Sequence, residues 1–265
     1  MRFGFCLGLG FLQDDSAERK LFDAVAEVGY DYVELPLSQV AELTKDEISK
    51  LETLLKTIPC RACNLFFPIE VAIVGADMDI PGIKAYLEKT LPIAASLGIE
   101  TLVFGNGGAR KIPDGATYEE TFAQLRAVVE IMDEYASKTG ISIVVEPLNT
   151  TETNILISYD EAVRLAQGLT YVTAMVDSYH AAMEKQGFDD VSENPKMLMH
   201  LHTAYPIGRY IPELSDDMRL YAEFADMAKH AGYNGKLSVE GRMRNKRSAK
   251  EEVGEALQVL KSLYK

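Results

Sequence analysis

Apolar residues in this chain keep two alternating rhythms. Short runs such as YVELP, TLVFG, SIVVEP and LSVEG are rich in β-branched and bulky aliphatics, the texture of buried strands. Between them lie longer stretches: SAERKLFDAVAEV, TYEETFAQLRAVVEIMDEYASK and DDMRLYAEFADMAKHA. Their apolar positions recur every three or four residues, the spacing of one helix face. The joints are marked too. VGYDYVELP, LGIETLVFG, TGISIVVEP and AGYNGKLSVEG each carry a glycine where a helical pattern stops and a strand begins. A glycine there reads as a helix C-terminal cap. Helix, glycine, strand is the punctuation of αβ units, although the intervals vary too much for a solenoid repeat.

Filling in the remainder predicts eight strands near 3–8, 32–36, 61–66, 101–105, 141–146, 172–177, 197–203 and 236–240. Eight β-then-α units in 265 residues make an α/β protein, a single (β/α)8 TIM barrel. A doubly wound open sheet is the alternative. It would need a glycine-rich fingerprint after the first strand, and Cys6-Leu-Gly-Leu-Gly matches one only in part. No linker or break in composition divides the chain, so residues 1–265 are expected to form one domain.

Side chains alternate along a strand, which assigns each polar residue a face. In 141–146, Ile141, Ile143 and Val145 share the face suited to the helices. Glu146 therefore points into the barrel, at the C-terminal mouth where barrel active sites sit. By the same test Asp177 shares a face with Thr173 and Met175, His202 with Leu198 and His200, and Glu240 with Lys236 and Ser238. The fifth to eighth strands thus each end in an ionisable group aimed at the mouth. Three carboxylates converging without a cation would repel one another strongly. A divalent metal removes the conflict. Three carboxylates and an imidazole favour Mn²⁺, with Mg²⁺ or Co²⁺ as alternatives, over a thiol-type zinc site.

EPLNTTE, VDSYH, HLHTAY and SVEG, in that order on those strands, resemble the motifs of the xylose-isomerase-like TIM-barrel superfamily. Within it they are most similar to the ketose 3-epimerases of tagatose and psicose type. The resemblance covers nearly the whole chain. It implies that Glu146, Asp177, His202 and Glu240 ligate one metal, and that Glu146 and Glu240 are also the two acid–base carboxylates. It further implies substrate contacts for Glu152, the second glutamate of E-x-x-N-x-x-E, for His180 of D-x-x-H, and for Arg209, seven residues past His202. The expected reaction is epimerisation of a ketose at C3. A proton beside a carbonyl is removed and returned on the other face through a cis-enediolate, which a metal stabilises as a Lewis acid. The same machinery would serve aldose–ketose isomerisation, or dehydration as in the inosose dehydratases.

Composition narrows the field. Hydrophobic residues make up 47% and charged residues 25%, the balance of a soluble folded protein, and no apolar run is long enough for a membrane helix. MRFGFCLGLGFLQDD reads as a first strand and its loop rather than a signal sequence, so the cytoplasm is the expected location. A net charge of −13 disfavours nucleic acid. Four histidines are few for the three-metal endonuclease IV type of the same superfamily. The expected partner is a small sugar or sugar derivative, and barrels of this kind often form homo-oligomers. Three cysteines, an odd number, suit a reducing compartment. Cys60 and Cys63 have redox or zinc spacing. In a regular strand they would face opposite ways, and no second C-x-x-C exists, so both are read as structural thiols.

Several signals stay open. Glu34 and Asn64 are placed either in the mouth, touching substrate, or in loop capping. His200 is either a partner to the metal ligands or a core histidine, and Phe66 and Phe67 are read as core. Arg110 sits in the glycine-rich FGNGGAR, a tight loop near the substrate. GRMRNKR follows the eighth strand, where barrels often bind phosphate, and is read as solvated charge, a subunit contact, or a site for a phosphorylated or acidic substrate.

Overall fold

The computed structural model describes residues 1–68 and 70–264. Eight parallel strands close into a barrel in chain order, the first pairing with the eighth. They are β1 (Arg2–Cys6), β2 (Tyr32–Pro36), β3 (Cys60–Asn64), β4 (Thr101–Phe104), β5 (Ser142–Val145), β6 (Val172–Asp177), β7 (Leu198–Thr203) and β8 (Lys236–Val239). Around them run α1 (Ala17–Val28), α2 (Lys45–Leu54), α3 (Ile80–Ser96), α4 (Tyr118–Ser137), α5 (Tyr159–Ala166), α6 (Ser178–Met183), α7 (Arg219–His230) and α8 (Ala249–Leu263), with shorter turns of helix between. Among the described residues no helix is long and apolar enough to cross a membrane.

The helix boundaries follow local chemistry. Thr44, Ser158, Thr117 and Ser248 each close a capping box with a glutamate three residues on, which satisfies backbone N–H groups that have no partner within the helix. The glycines that mark the joints, Gly29, Gly98, Gly140 and Gly232, all adopt positive φ, between 66° and 90°. That is the left-handed turn by which a helix ends, and a side chain would strain it.

Most of the apolar core lies between the barrel and its helices, as in the packing of Phe11 on Phe22 and of Phe66 and Phe67 against Tyr86 and Phe104. Inside the barrel the apolar part is small, a cluster of Val103, Val144 and Met175. The rest of the interior is polar. Tyr32 crosses above Gly4, where an added Cβ would lie 2.2 Å from its ring, and its hydroxyl meets the Ser238 hydroxyl at 2.8 Å. That polar stack is what the mouth rests on.

Cys60 and Cys63 are free and buried, but they do not face opposite ways. Between Val33 and Glu34 the β2–β3 register slips, Val33 pairing with Cys60 and Glu34 with Ala62. The extra residue is a β-bulge, which puts both thiols in the core outside the barrel. Burial, then the neighbouring Cys60 thiol, pushes the Cys63 thiol well up, so it is inert at neutral pH.

Candidate active site and metal centre

Glu146 is the first residue past β5, and its N–H donates to the Phe104 carbonyl at 3.2 Å, extending the ladder to the mouth. Asp177 ends β6 and caps α6, its Oδ1 accepting the Tyr179 N–H at 2.8 Å. His202 pairs with it across β7. Glu240 follows β8, its N–H donating to the Thr203 carbonyl at 3.0 Å. One ligand atom from each of Glu146, Asp177, His202 and Glu240 lies within 4.8 Å of the others.

Asp177 Oδ2 tests whether a cation belongs there. It is buried and has no hydrogen-bond partner among the described residues. The nearest side-chain nitrogens of the ion-pairing residues, His180 Nε2 and Arg209 Nη2, stand off at 3.6 and 3.8 Å. A bare buried carboxylate oxygen is costly. A cation among the four groups would satisfy it, and three carboxylates with one imidazole suit a hard divalent ion. The residues present fit a metal.

Glu34 lies under this floor, fully buried. It accepts from His202 Nε2 (2.9 Å), His200 Nε2 (3.0 Å) and the Ser238 hydroxyl (2.6 Å). Both open readings of Glu34 are thereby replaced: it neither caps a loop nor meets the mouth. It turns His202 so that Nδ1 faces Glu146 Oε1 at 3.1 Å and Glu240 Oε2 at 3.4 Å. His200 belongs to this lower layer as well. Burial disfavours charge on Glu34, but the two imidazoles outweigh it and hold the carboxyl well below the usual range.

The acid–base candidates sit in contrasting surroundings. Burial pushes Glu146 above the usual carboxylate range, against the pull of His202. Burial acts on Glu240 too, but His202 and Arg209 overcome it and hold its carboxyl down to about 2. Asn64 donates to Glu240 Oε1 at 2.7 Å, so of its two open readings the mouth is the one observed.

Above the floor is a cavity of about 410 Å³, lined by Glu146, Glu152, His180, Arg209 and Glu240 among others. Arg209, at φ 52°, spans it, with Nη2 2.6 Å from Glu240 Oε2, Nη1 3.4 Å from Glu152 Oε1 and its guanidinium over the Tyr179 ring. Glu152 arrives because the loop after β5 folds back, the Leu148 N–H donating to the Leu156 carbonyl at 3.1 Å. Buried Asn149 anchors that loop. Its backbone N–H donates to His180 Nδ1 at 3.1 Å, which leaves the ring proton on Nε2. That Nε2 is buried without a hydrogen-bond partner among the described residues, in a residue that lines the cavity. The structure therefore brings together all seven residues singled out in the sequence.

Three supports lie in the glycine-rich loop that the sequence placed near the substrate, in roles the sequence did not specify. A Cβ on Gly105 would lie 1.8 Å from Glu146 Oε2, so only glycine leaves that carboxylate its place. A Cβ on Gly107 would lie 2.7 Å from the Glu152 carbonyl oxygen. Arg110 is fully buried and points away from the cavity, its guanidinium donating to the carbonyls of Phe104 (3.0 Å), Glu146 (2.6 Å) and Leu156 (3.5 Å). It clamps the ends of β4 and β5 to the returning loop.

The basic GRMRNKR segment is largely consumed within the fold. Arg244 pairs with Asp216 (2.8 Å) and Glu213 (3.2 Å), Lys246 with Glu213, and Arg247 with Glu255. The backbone N–H groups of Arg244, Asn245, Lys246 and Arg247 form a cradle of the kind that holds phosphate, and all four donate to the carboxylate of Glu252 (2.6–3.1 Å). Of this segment, Gly241 and Arg242 line the cavity.

A closed (β/α)8 barrel with a carboxylate–histidine cluster at its C-terminal mouth defines the class of protein. The chain belongs to the xylose isomerase-like TIM barrel family, whose model matches residues 22–263. No protein of curated description matches it in sequence. Among solved structures it is similar to a D-allulose 3-epimerase from Methylomonas sp. in complex with D-allulose (TM-score 0.79, 21% identity, 100% of this chain and 97% of that one). It is also similar to a 3-keto-D-glucoside 4-epimerase from E. coli (TM-score 0.79, 19% identity, 98% and 99%). A third is a D-psicose 3-epimerase with D-tagatose from Clostridium cellulolyticum H10 (TM-score 0.76, 19% identity, 100% of both). At these identities the likeness establishes the shared fold.

Proposed function

We propose that this protein is a divalent-metal-dependent sugar epimerase or isomerase that epimerises a ketose at C3. The observation that carries the reading is the convergence of Glu146, Asp177, His202 and Glu240 within 4.8 Å beneath a polar cavity of about 410 Å³. These four would hold the metal, with Mn²⁺ the first candidate. When bound, the metal supplies Lewis-acid stabilisation of the negative charge that develops on the sugar oxygens. Glu146 and Glu240 come from opposite ends of the four-strand arc and reach the substrate from different sides. One takes the proton from carbon while the other delivers a proton to the opposite face, and the roles exchange with the direction of reaction. Arg209 and the His180 Nε2–H donate to sugar oxygens, and Glu152 accepts from a hydroxyl. The returning loop that carries Glu152 shields that side of the pocket from water.

The similar 3-keto-D-glucoside 4-epimerase favours a second reading, in which the same carboxylates act beside a ring ketone and epimerise C4. Loss of a β-hydroxyl at such a centre would make the reaction a dehydration. One experiment separates these. Metal-stripped protein is reloaded with Mn²⁺ in D₂O with ketoses, keto-glucosides, inososes and sugar phosphates, and NMR follows each carbon. Deuterium at C3 with a new diastereomer supports the first reading, and deuterium at C4 the second. Deuterium at C1 or C2 with an aldose product means isomerisation, and loss of water a dehydratase. No metal-dependent exchange on any compound would overturn the proposal.

A further inference from the structure

The opposite end of the barrel holds a larger cleft, of about 930 Å³, among the N-terminal ends of β1, β4, β5, β7 and β8. In a chain of net charge −13, this is where the balance reverses. Arg2, Lys196 and Lys236 line the cleft, and among the described residues Glu100 is the one carboxylate in its lining. Arg2 donates to Glu100 at 2.7 and 3.2 Å, Lys236 Nζ lies 3.0 Å away and Arg61 Nε 3.6 Å. Lys196 has no ion pair among the described residues, and the Met1 ammonium donates to Asn234, also in the lining. The Lys236 side chain is only 9% exposed, and its Nζ donates to Glu100.

The electrostatic problem is the mirror image of that at the mouth. There, excess carboxylates call for a cation; here, several cations share one carboxylate. Like charges this close repel, and a largely buried ammonium with half a partner is costly. The excess lies in a concave space of ligand size rather than on a convex face, which favours a small molecule over a protein surface. One wall is apolar, formed by Ile99, Leu198 and Met199, the last 44% exposed.

We propose that this cleft binds a small oxyanion, a phosphate or sulfate group, through Arg2, Lys236 and Lys196, with the apolar wall against the body of the molecule that carries it. The site is separate from the candidate active site and does not depend on how that site is read. The test uses the full-length protein with inorganic phosphate and sulfate as probes, at constant ionic strength set with sodium chloride. Thermal melting and isothermal titration report binding. Saturable binding near one anion per chain is expected. Arg2→Gln should weaken it at least ~10-fold, the scale of one charge-assisted contact. Exposed Lys196→Glu, which leaves the packing alone, should weaken it in the same direction, and Arg242→Gln at the far mouth should leave it unchanged. Binding no better than chloride, binding insensitive to Arg2 and Lys196, or binding lost in Arg242→Gln would each overturn the proposal.

Discussion

Glu34 Oε1 sits 2.9 Å from His202 Nε2, beneath the floor of the candidate metal centre and out of reach of any substrate. One carboxylate thereby fixes which imidazole nitrogen faces upward. Glu34→Gln is expected to lower metal affinity by ~10- to 100-fold, the usual effect of losing such a partner. Titration with Mn²⁺ followed by electron paramagnetic resonance measures it, with circular dichroism as the check on folding. Unchanged affinity would show that the barrel wall alone orients the ring.

Glu146→Gln and Glu240→Gln keep shape and remove basicity. Each is expected to cost at least ~10²-fold in kcat, the lower range for a lost acid–base group, with the melting temperature little changed. Near-normal turnover in either variant sinks the two-carboxylate assignment. Glu152→Ala should act differently, raising KM more than it lowers kcat, because the proposed role of Glu152 is to hold the substrate away from the reacting carbon.

Gly105→Ala places a methyl group where Glu146 Oε2 now lies, 1.8 Å away. The carboxylate must move, so metal affinity and turnover should fall together. Wild-type affinity in this variant would mean that Glu146 has room to spare.

Arg110 donates to three carbonyls, of which Phe104 and Leu156 also accept from backbone N–H groups and Glu146 rests on the guanidinium. Arg110→Met fills much of the space and leaves the Glu146 carbonyl without its donor, at a cost of ~1–3 kcal/mol by the usual penalty for a buried unpaired polar group. Urea denaturation reads the loss directly. A change under ~0.5 kcal/mol would show that water replaces the guanidinium.

The acid limit of stability should involve Glu100. Its hydrogen bonds to Arg2, then to Lys236, hold its carboxyl down to about 2 against partial burial. A folded value below the unfolded one, ~4.3, gives stability that is complete above the unfolded value and lost as pH falls toward the folded one. The stability gap between wild type and Glu100→Gln should therefore close between pH ~5 and ~2. The carboxylate is 38% exposed, so solvent screening keeps the gap near ~1 kcal/mol or less. A gap that does not narrow on acidification would place the contribution elsewhere.

The sequence made the upper face of the site legible for a geometric reason. Side-chain alternation on a strand, together with a position at its C-terminal end, determines both direction and height, and Glu146, Asp177, His202 and Glu240 have both. Glu34 looks like a strand end as well, but β2 runs on to Pro36, and two residues short of that end its carboxylate is buried beneath His202 instead of lining the cavity. The slip beside Glu34 hid the shared face of Cys60 and Cys63. Arg110 was opaque because its acceptors are backbone carbonyls 6, 36 and 46 residues away, and backbone leaves no mark in a sequence. GRMRNKR looked available because its anions, Glu213, Asp216, Glu252 and Glu255, come from other segments.

The cradle closed by Glu252 bears on how such a barrel can change its diet. Four amides aligned for an anion are difficult to evolve one at a time, yet here they are already in place, stabilised by a resident carboxylate. A single substitution, Glu252→Ala, would exchange a built-in occupant for a diffusible one, and phosphate should then bind at the loop and restore part of the lost stability. The fold would carry an anion receptor as a latent trait, one mutation from exposure to selection.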